Sequence, residues 1–182
     1  KAGEKGAKKK YALISEQGKV KIVGFETVRR NWSAIAKETQ EKVLQLVLGD
    51  KREEAVQYVK EMVREMKKGA VPLSKMIIRT QITRELGSYS SVGPHVAVAQ
   101  KLRERGEAVS PGTVVEYIIV RGNGLIRERA KLVEEVQEGE YDAEYYINNQ
   151  LIPAVSSIFA VLGIAEDQLF EESAQVGLGR FM

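Results

Sequence analysis

Apolar residues along this chain recur with two different periods, and the changes of period divide it into elements. Tyr11–Ile14 and Val20–Phe25 are short apolar runs on either side of Glu16, Gln17 and Gly18, which predicts a β-hairpin. From Arg29 to Leu48 the spacing lengthens. Trp32, Ile35, Ala36, Val43, Leu44, Val47 and Leu48 fall at helical intervals, with Asn31 or Ser33 available as a cap. Gly49 and Asp50 interrupt the pattern. Ala55, Val56, Val59, Met62, Val63 and Met66 then form the apolar stripe of a second helix whose other face carries Lys, Arg and Glu, and Gly69 and Pro72 stop it.

The second half alternates more often. Lys75 to Arg79 reads as a short strand or extended segment, and a helix starts at Pro94 and His95 and closes at Gly106, with Val96, Val98, Ala99 and Leu102 on its apolar side. Pro111 and Gly112 make a turn before a strand over Val114 to Val120, and Gly122-Asn123-Gly124 predicts a tight hairpin turn into Leu125 to Arg129. An acidic connector, Glu134 to Glu140, leads to a long helix capped near Asp142, with Glu144 in its first turn. Pro153 is expected to bend that helix and Gly163 to end it. Residues 164–182 read as a short turn and an extended tail. The fold class predicted is α+β: a helix-rich unit preceded by a small β-hairpin.

Charge changes the picture more than composition does. The 182 residues carry a net charge of only +3. Residues 1–30, however, hold nine basic side chains against three acidic ones, while residues 132–174 hold ten acidic side chains and no Lys or Arg. A basic front and an acidic back suit a protein that turns one face to a polyanion; solvated charge unevenly spread is the plainer explanation. With no Cys, the chain has no disulfide, thiolate metal site or Cys nucleophile, and its one histidine, His95, cannot build a His-rich metal site. No apolar run approaches a membrane span and no signal-peptide pattern is present, so the expectation is a cytoplasmic protein with no membrane partner. Residues 1–8, small, polar and basic, read as a flexible arm or as the cut end of something longer.

Between Arg79 and Arg105 donors are concentrated. Gln81, Thr83 and Arg84 can bond phosphate, a turn follows with Gly87, Ser88, Tyr89, Ser90, Ser91 and Gly93, and then comes a helix N-terminus. Donor side chains, exposed backbone N–H groups and a helix N-terminus in so short a span suit an anionic backbone better than a small apolar ligand.

Six segments, in order, resemble archaeal-type family B DNA polymerases: Lys9-Lys10-Tyr11-Ala12, Arg29-Arg30-Asn31-Trp32, Gln81-Ile82-Thr83-Arg84, Gly93-Pro94-His95-Val96-Ala97-Val98-Ala99, Pro111-Gly112-Thr113, and Tyr141-Asp142-Ala143-Glu144-Tyr145-Tyr146-Ile147-Asn148-Asn149-Gln150. The resemblance covers nearly the whole chain. It implies a basic arm and the end of the palm, a β-hairpin, over 1–30; a mainly helical, duplex-gripping thumb with a small β-hairpin over 31–163; and a C-terminal tail over 164–182. Lys9 and Tyr11 match the family's Lys-x-Tyr element, which grips primer-template near the primer end, with Lys10 beside them. Arg29 and Arg30 match arginines that face the duplex. Gln81, Thr83, Arg84, Tyr89 and His95 match thumb elements that hold the product duplex, and Asn123 lies in another thumb turn able to approach phosphate; a plain hairpin turn and a structural histidine are the simpler readings of Asn123 and His95.

The tail Gln175-Val176-Gly177-Leu178-Gly179-Arg180-Phe181-Met182 looks like a clamp-interacting box. Leu178 and Phe181 would fill an apolar pocket on a sliding clamp while Gln175 bonds at its rim, with Met182 where a second aromatic would stand. Family B polymerases join nucleotides with two divalent cations, Mg, held by carboxylates. Their Asp-x-Asp motif, their upstream palm motif, their fingers motif and their exonuclease motifs do not occur here. The chain alone is therefore expected not to polymerise DNA and to bind no cofactor itself. The resemblance implies a larger polymerase subunit that supplies the catalytic palm, fingers and exonuclease, this chain being the small subunit of a split polymerase or a piece of a single-chain enzyme. A non-enzymatic duplex-binding or clamp-associated module is the alternative.

Overall fold

The computed structural model describes residues 31–169 and, before them, the backbone of Tyr11–Ile14 and Val20–Val23. Those two runs are strands β1 (Tyr11–Ile14) and β2 (Val20–Val23), paired antiparallel with Tyr11 opposite Val23 and Ile14 opposite Val20. This is the pairing the two apolar runs predict.

Helices α1 (Ala34–Leu48) and α2 (Arg52–Lys67) follow. Asn31, Trp32 and Ser33 precede α1 in irregular backbone, so the helical spacing seen from Trp32 onward becomes helix only after Ser33, a residue type that favours the cap position. At the far end Gly49 N–H donates to Gln45 O and Lys51 N–H to Leu46 O, and Asp50, not Gly49, takes the left-handed conformation with φ 60°. Asp tolerates that region because its short polar side chain can bond locally. Helix α2 ends with Gly69 at φ 72°, where Gly69 N–H donates to Met66 O and Ala70 N–H to Glu65 O.

Where the sequence predicts an extended segment from Lys75, the chain instead makes one helical turn, α3 (Leu73–Met76), before strand β3 (Ile78–Gln81). Pro72, at φ −59°, starts that turn and its carbonyl accepts from Lys75 N–H, while Leu73 and Met76 are buried. Strands β3, β4 (Val114–Ile119) and β5 (Ala130–Lys131) form one antiparallel sheet with β4 central. Ile78 lies opposite Tyr117 and Gln81 opposite Val114. Along β4 the exposure follows the sequence, alternating over Val114–Tyr117 and then buried at Ile118 and Ile119. Burying each of those isoleucines contributes about 1.5–3 kcal/mol.

The hairpin predicted at Gly122-Asn123-Gly124 is longer and less regular than expected. Ile126–Glu128 is a 3₁₀ turn rather than strand, and pairing resumes only where Ile119 meets Ala130 and Ile118 meets Lys131. Glu128 causes this, because its carboxylate accepts Leu125 N–H at 3.0 Å and so folds the chain back on itself. Helix α4 (Pro94–Glu104) packs on β4 and β5 through Val96, Val98 and Ala99.

The long C-terminal helix is built in three parts: α5 (Ala143–Tyr146), a π turn (Ile147–Leu151) and α6 (Ile152–Val161). Asp142 caps it by accepting Tyr145 N–H at 3.1 Å. The π turn sits immediately before Pro153, whose missing N–H removes one rung of an α-helical ladder; a wider turn is how the backbone absorbs that loss. Gly163, at φ 74°, ends α6, with Ile164 N–H donating to Phe159 O.

The described residues fall into two compact units. One contains β1, β2, Ala36–Arg64 and the described part of Asn149–Met182. Its core includes Val43, Leu44, Val59, Val155, Ile158 and Phe159, and in it buried Gln40 donates to Ala154 O at 2.7 Å. The other contains Asn31–Ile35 and Glu65–Asn148. There two buried tyrosines act as ties: Tyr141 donates to Met66 O at 2.9 Å and accepts Val71 N–H, and Tyr146 donates to Met76 O at 2.7 Å and accepts Ile119 N–H.

Candidate nucleic-acid interface

The donor-rich segment begins at the end of β3 and is held there by the turn that opens β4. Beyond Gln81 the ladder continues for one more residue, with Ile82 N–H donating to Thr113 O at 2.7 Å and Gly112 N–H to Ile82 O at 2.6 Å. Gly112 takes φ 100°, a conformation that favours glycine, and Gln81 Nε2 reaches Gly112 O at 3.4 Å. Buried Ile82 therefore fixes the backbone while its neighbours Gln81, Thr83 and Arg84 stand exposed. Gly112 and Thr113 frame this site through backbone groups alone, so side-chain chemistry gives no sign of them; the Pro-Gly-Thr turn signal is the visible clue.

Tyr89 also organises the backbone of this segment. Its hydroxyl oxygen accepts the backbone N–H of Thr83 at 3.0 Å and of Arg84 at 3.3 Å, and lies 3.5 Å from Thr83 Oγ1. Accepting two backbone N–H groups engages both lone pairs of this hydroxyl. The hydrogen bonds from Thr83 hold the Tyr89 phenol below its ordinary range. The Tyr89 ring meets His95 edge to face, with centroids 5.7 Å apart. Partial burial lowers the His95 pKa from its usual value, which disfavours the charged imidazolium. Arg84 thus carries the charge on this face of the segment, and among the described residues it has no carboxylate within 4.0 Å. Arg79, by contrast, is paired with Glu116 across the strands at 2.7 Å.

Gln81, Thr83, Arg84, Tyr89 and His95 are thus joined into one stretch by the end of β3, the Tyr89 hydrogen bonds and the Tyr89–His95 ring contact. Asn123 is not part of it. Gln81 lies opposite the first residue of β4, whereas Asn123 follows the last, so about 17 Å of strand separates the two ends. Asn123 is exposed in a loop behind which Arg129 bonds Val120 O and forms a half-buried pair with Asp142. Lys9, Lys10, Arg29, Arg30, Gln175, Leu178, Phe181 and Met182 lie outside the described residues, and Tyr11 is described only in its backbone.

Several carboxylates of this unit already have tasks. Asp142 caps α5 and pairs with Arg129, Glu116 pairs with Arg79, and Glu128 and Glu138 accept backbone N–H groups. Among the described residues no three His, Asp or Glu side chains converge to hold a metal ion. Among them, too, no helix is long and apolar enough to cross a membrane.

Comparison with known proteins gives one consistent answer. The family model for DNA polymerase family B matches residues 6–162. The DNA polymerase of Thermococcus sp. (strain 9oN-7) is 48% identical over 180 residues, which are 96% of this chain and 23% of that protein. The DNA polymerase of Thermococcus aggregans is 46% identical over 180 residues, 97% of this chain and 10% of its own length. That of Pyrococcus glycovorans is 50% identical over 175 residues, 94% of this chain and 23% of its length. Among solved structures, the family B DNA polymerase from the hyperthermophilic archaeon Pyrobaculum calidifontis aligns with a TM-score of 0.69 at 41% identity, covering 81% of this chain and 20% of that one. The chain therefore spans between 10% and 23% of the length of these relatives. With a family match that runs from the basic arm to the end of the long C-terminal helix, the chain belongs to DNA polymerase family B.

Proposed function

We propose that this chain is the palm-end and thumb portion of a DNA-directed DNA polymerase, and that its 79–105 segment grips primer-template duplex through the sugar-phosphate backbone. The observation that carries this reading is the exposed run Gln81, Thr83 and Arg84, fixed by Ile82 and leading to the N-terminus of α4, which no side chain caps. Such a site meets phosphate with one unpaired guanidinium, neutral donors and free helix N–H groups. Contacts of this kind to the sugar-phosphate backbone carry no sequence information, which suits an enzyme that must hold any sequence.

Membership of the family supports a role in DNA synthesis. The carboxylates that bind the two divalent cations come from another chain or segment, together with fingers and exonuclease. Lys9, Lys10, Tyr11, Arg29 and Arg30 are proposed as further duplex contacts and Gln175, Leu178, Phe181 and Met182 as the contact with a sliding clamp; both sets rest on the sequence resemblance.

The test is duplex binding as a function of salt. Affinity for primer-template should fall steeply as salt rises, and Arg84→Ala should weaken binding alike for all sequences and reduce the log–log salt slope by about one. A salt-independent affinity, or a slope unchanged in Arg84→Ala, would overturn the assignment.

A further inference from the structure

At the C-terminal end of α2, within the same unit as the sheet, lies a cleft of about 390 Å³ that the duplex-gripping segment does not use. Lys67, Lys68 and Arg121 line it with one carboxylate, Glu138, and with Gly69 and Gly139. Both glycines have positive φ, 72° and 82°, and a Cβ on Gly69 would lie 3.4 Å from Gly139 Cα.

Lysines at a helix C-terminus have an ordinary explanation, since they complement the partial negative charge of the last carbonyls. Here two of those carbonyls, of Glu65 and Met66, are already engaged. Met66 O accepts both Gly69 N–H at 3.0 Å and the Tyr141 hydroxyl at 2.9 Å, and Glu65 O accepts Ala70 N–H at 3.1 Å. Glu138 is engaged as well, accepting Leu73 N–H at 3.0 Å. Lys68 approaches Glu65 only to 3.8 Å, and both side chains are exposed, so that pair is weak. Among the described residues neither Lys67 nor Arg121 has a carboxylate within 4.0 Å.

We infer that this cleft is a second anion site, one that takes phosphate oxyanions. Arg121 supplies a planar fork matched to two phosphate oxygens, and Lys67 and Lys68 supply compact point charges beside it. Two sources present this chemistry. One is the backbone of a nucleic-acid strand, in which case the inference rests on the duplex-gripping reading. The other is free pyrophosphate, for which it stands without that reading.

The full 182-residue chain is titrated separately with inorganic pyrophosphate and with primer-template duplex, as wild type and as the triple variant Lys67→Gln, Lys68→Gln, Arg121→Gln. Loss of pyrophosphate binding with duplex binding unchanged assigns the free anion. A duplex salt slope reduced by about two to three, with Arg84 intact, assigns the strand. A triple variant that behaves as wild type toward both probes overturns the site. Glu138→Gln guards against mere unfolding, because it keeps an oxygen for Leu73 N–H while removing the negative charge. It should tighten the probe that binds by about two- to five-fold, and a loss in the triple variant without this gain also counts against the site. Arg84→Ala leaves pyrophosphate binding unchanged, so failure of the cleft and failure of the duplex-gripping segment are read separately.

Discussion

Single side chains on the donor-rich segment divide into those that face outward and those that hold the others in place. Tyr89 belongs to the second group, for its hydroxyl gathers the N–H groups of Thr83 and Arg84 and so sets the path from which the Arg84 side chain departs. Tyr89→Phe removes that acceptor while keeping the ring that meets His95 edge to face. The freed N–H groups are at an exposed site and can turn to water, so the cost in stability should be small, about 0.5–1.5 kcal/mol. The expected sign of a positioning role is weaker duplex binding with the salt slope kept, since no charge is lost. A reduced slope would instead mean that the tyrosine hydroxyl itself meets phosphate. The sequence marks Tyr89 as a polar aromatic near other donors, but not that its oxygen turns inward, because a contact over five or six residues depends on the backbone path between them.

Elements follow the sequence most closely where local chemistry decides them. Gly163 is an example: the helix-period pattern ends there, the structure gives it φ 74°, and a Cβ at that position would meet nothing within 4 Å. Gly163→Ala should therefore cost about 1–2 kcal/mol from backbone strain alone, read as a lower urea midpoint with an unchanged slope; a loss well above that would mean a steric contact. Asp142 as the cap of α5, the Pro-Gly turn before β4 and the helix from Pro94 are legible for the same reason. The misses have a common cause. The turn α3, the 3₁₀ turn at Ile126–Glu128 and the π turn before Pro153 each depend on where one backbone N–H or carbonyl finds a partner, and side-chain periodicity carries no record of that. In the candidate site, the residue types and their concentration between Arg79 and Arg105 are legible, and the hydrogen bonds that tie Tyr89 to the backbone of Thr83 and Arg84 are not. Asn123 shares the polar, glycine-rich setting of Tyr89 in the sequence, yet the sheet places it at the other end of β4.

At the scale of the molecule, the chain matches family B polymerases along nearly all its length while spanning 10% to 23% of the relatives described above. Under the proposed function, it supplies grip, and another chain or segment supplies the carboxylates. Adding it to a larger family B polymerase chain that lacks the corresponding portion should raise primer extension and produce a complex of greater mass on size-exclusion chromatography. Unchanged extension together with unchanged mass would favour the alternative, a duplex-binding module without a catalytic partner.

The tyrosine ties also bear on the order in which the protein is made. Tyr141 reaches back 75 residues to Met66, and Tyr146 reaches back 70 residues to Met76. Chains emerge from the ribosome N-terminus first, and long-range closures wait for both partners. The end of α2 and the start of the sheet are thus synthesised well before the hydroxyls that secure them, so these ties close only when the start of the C-terminal helix appears.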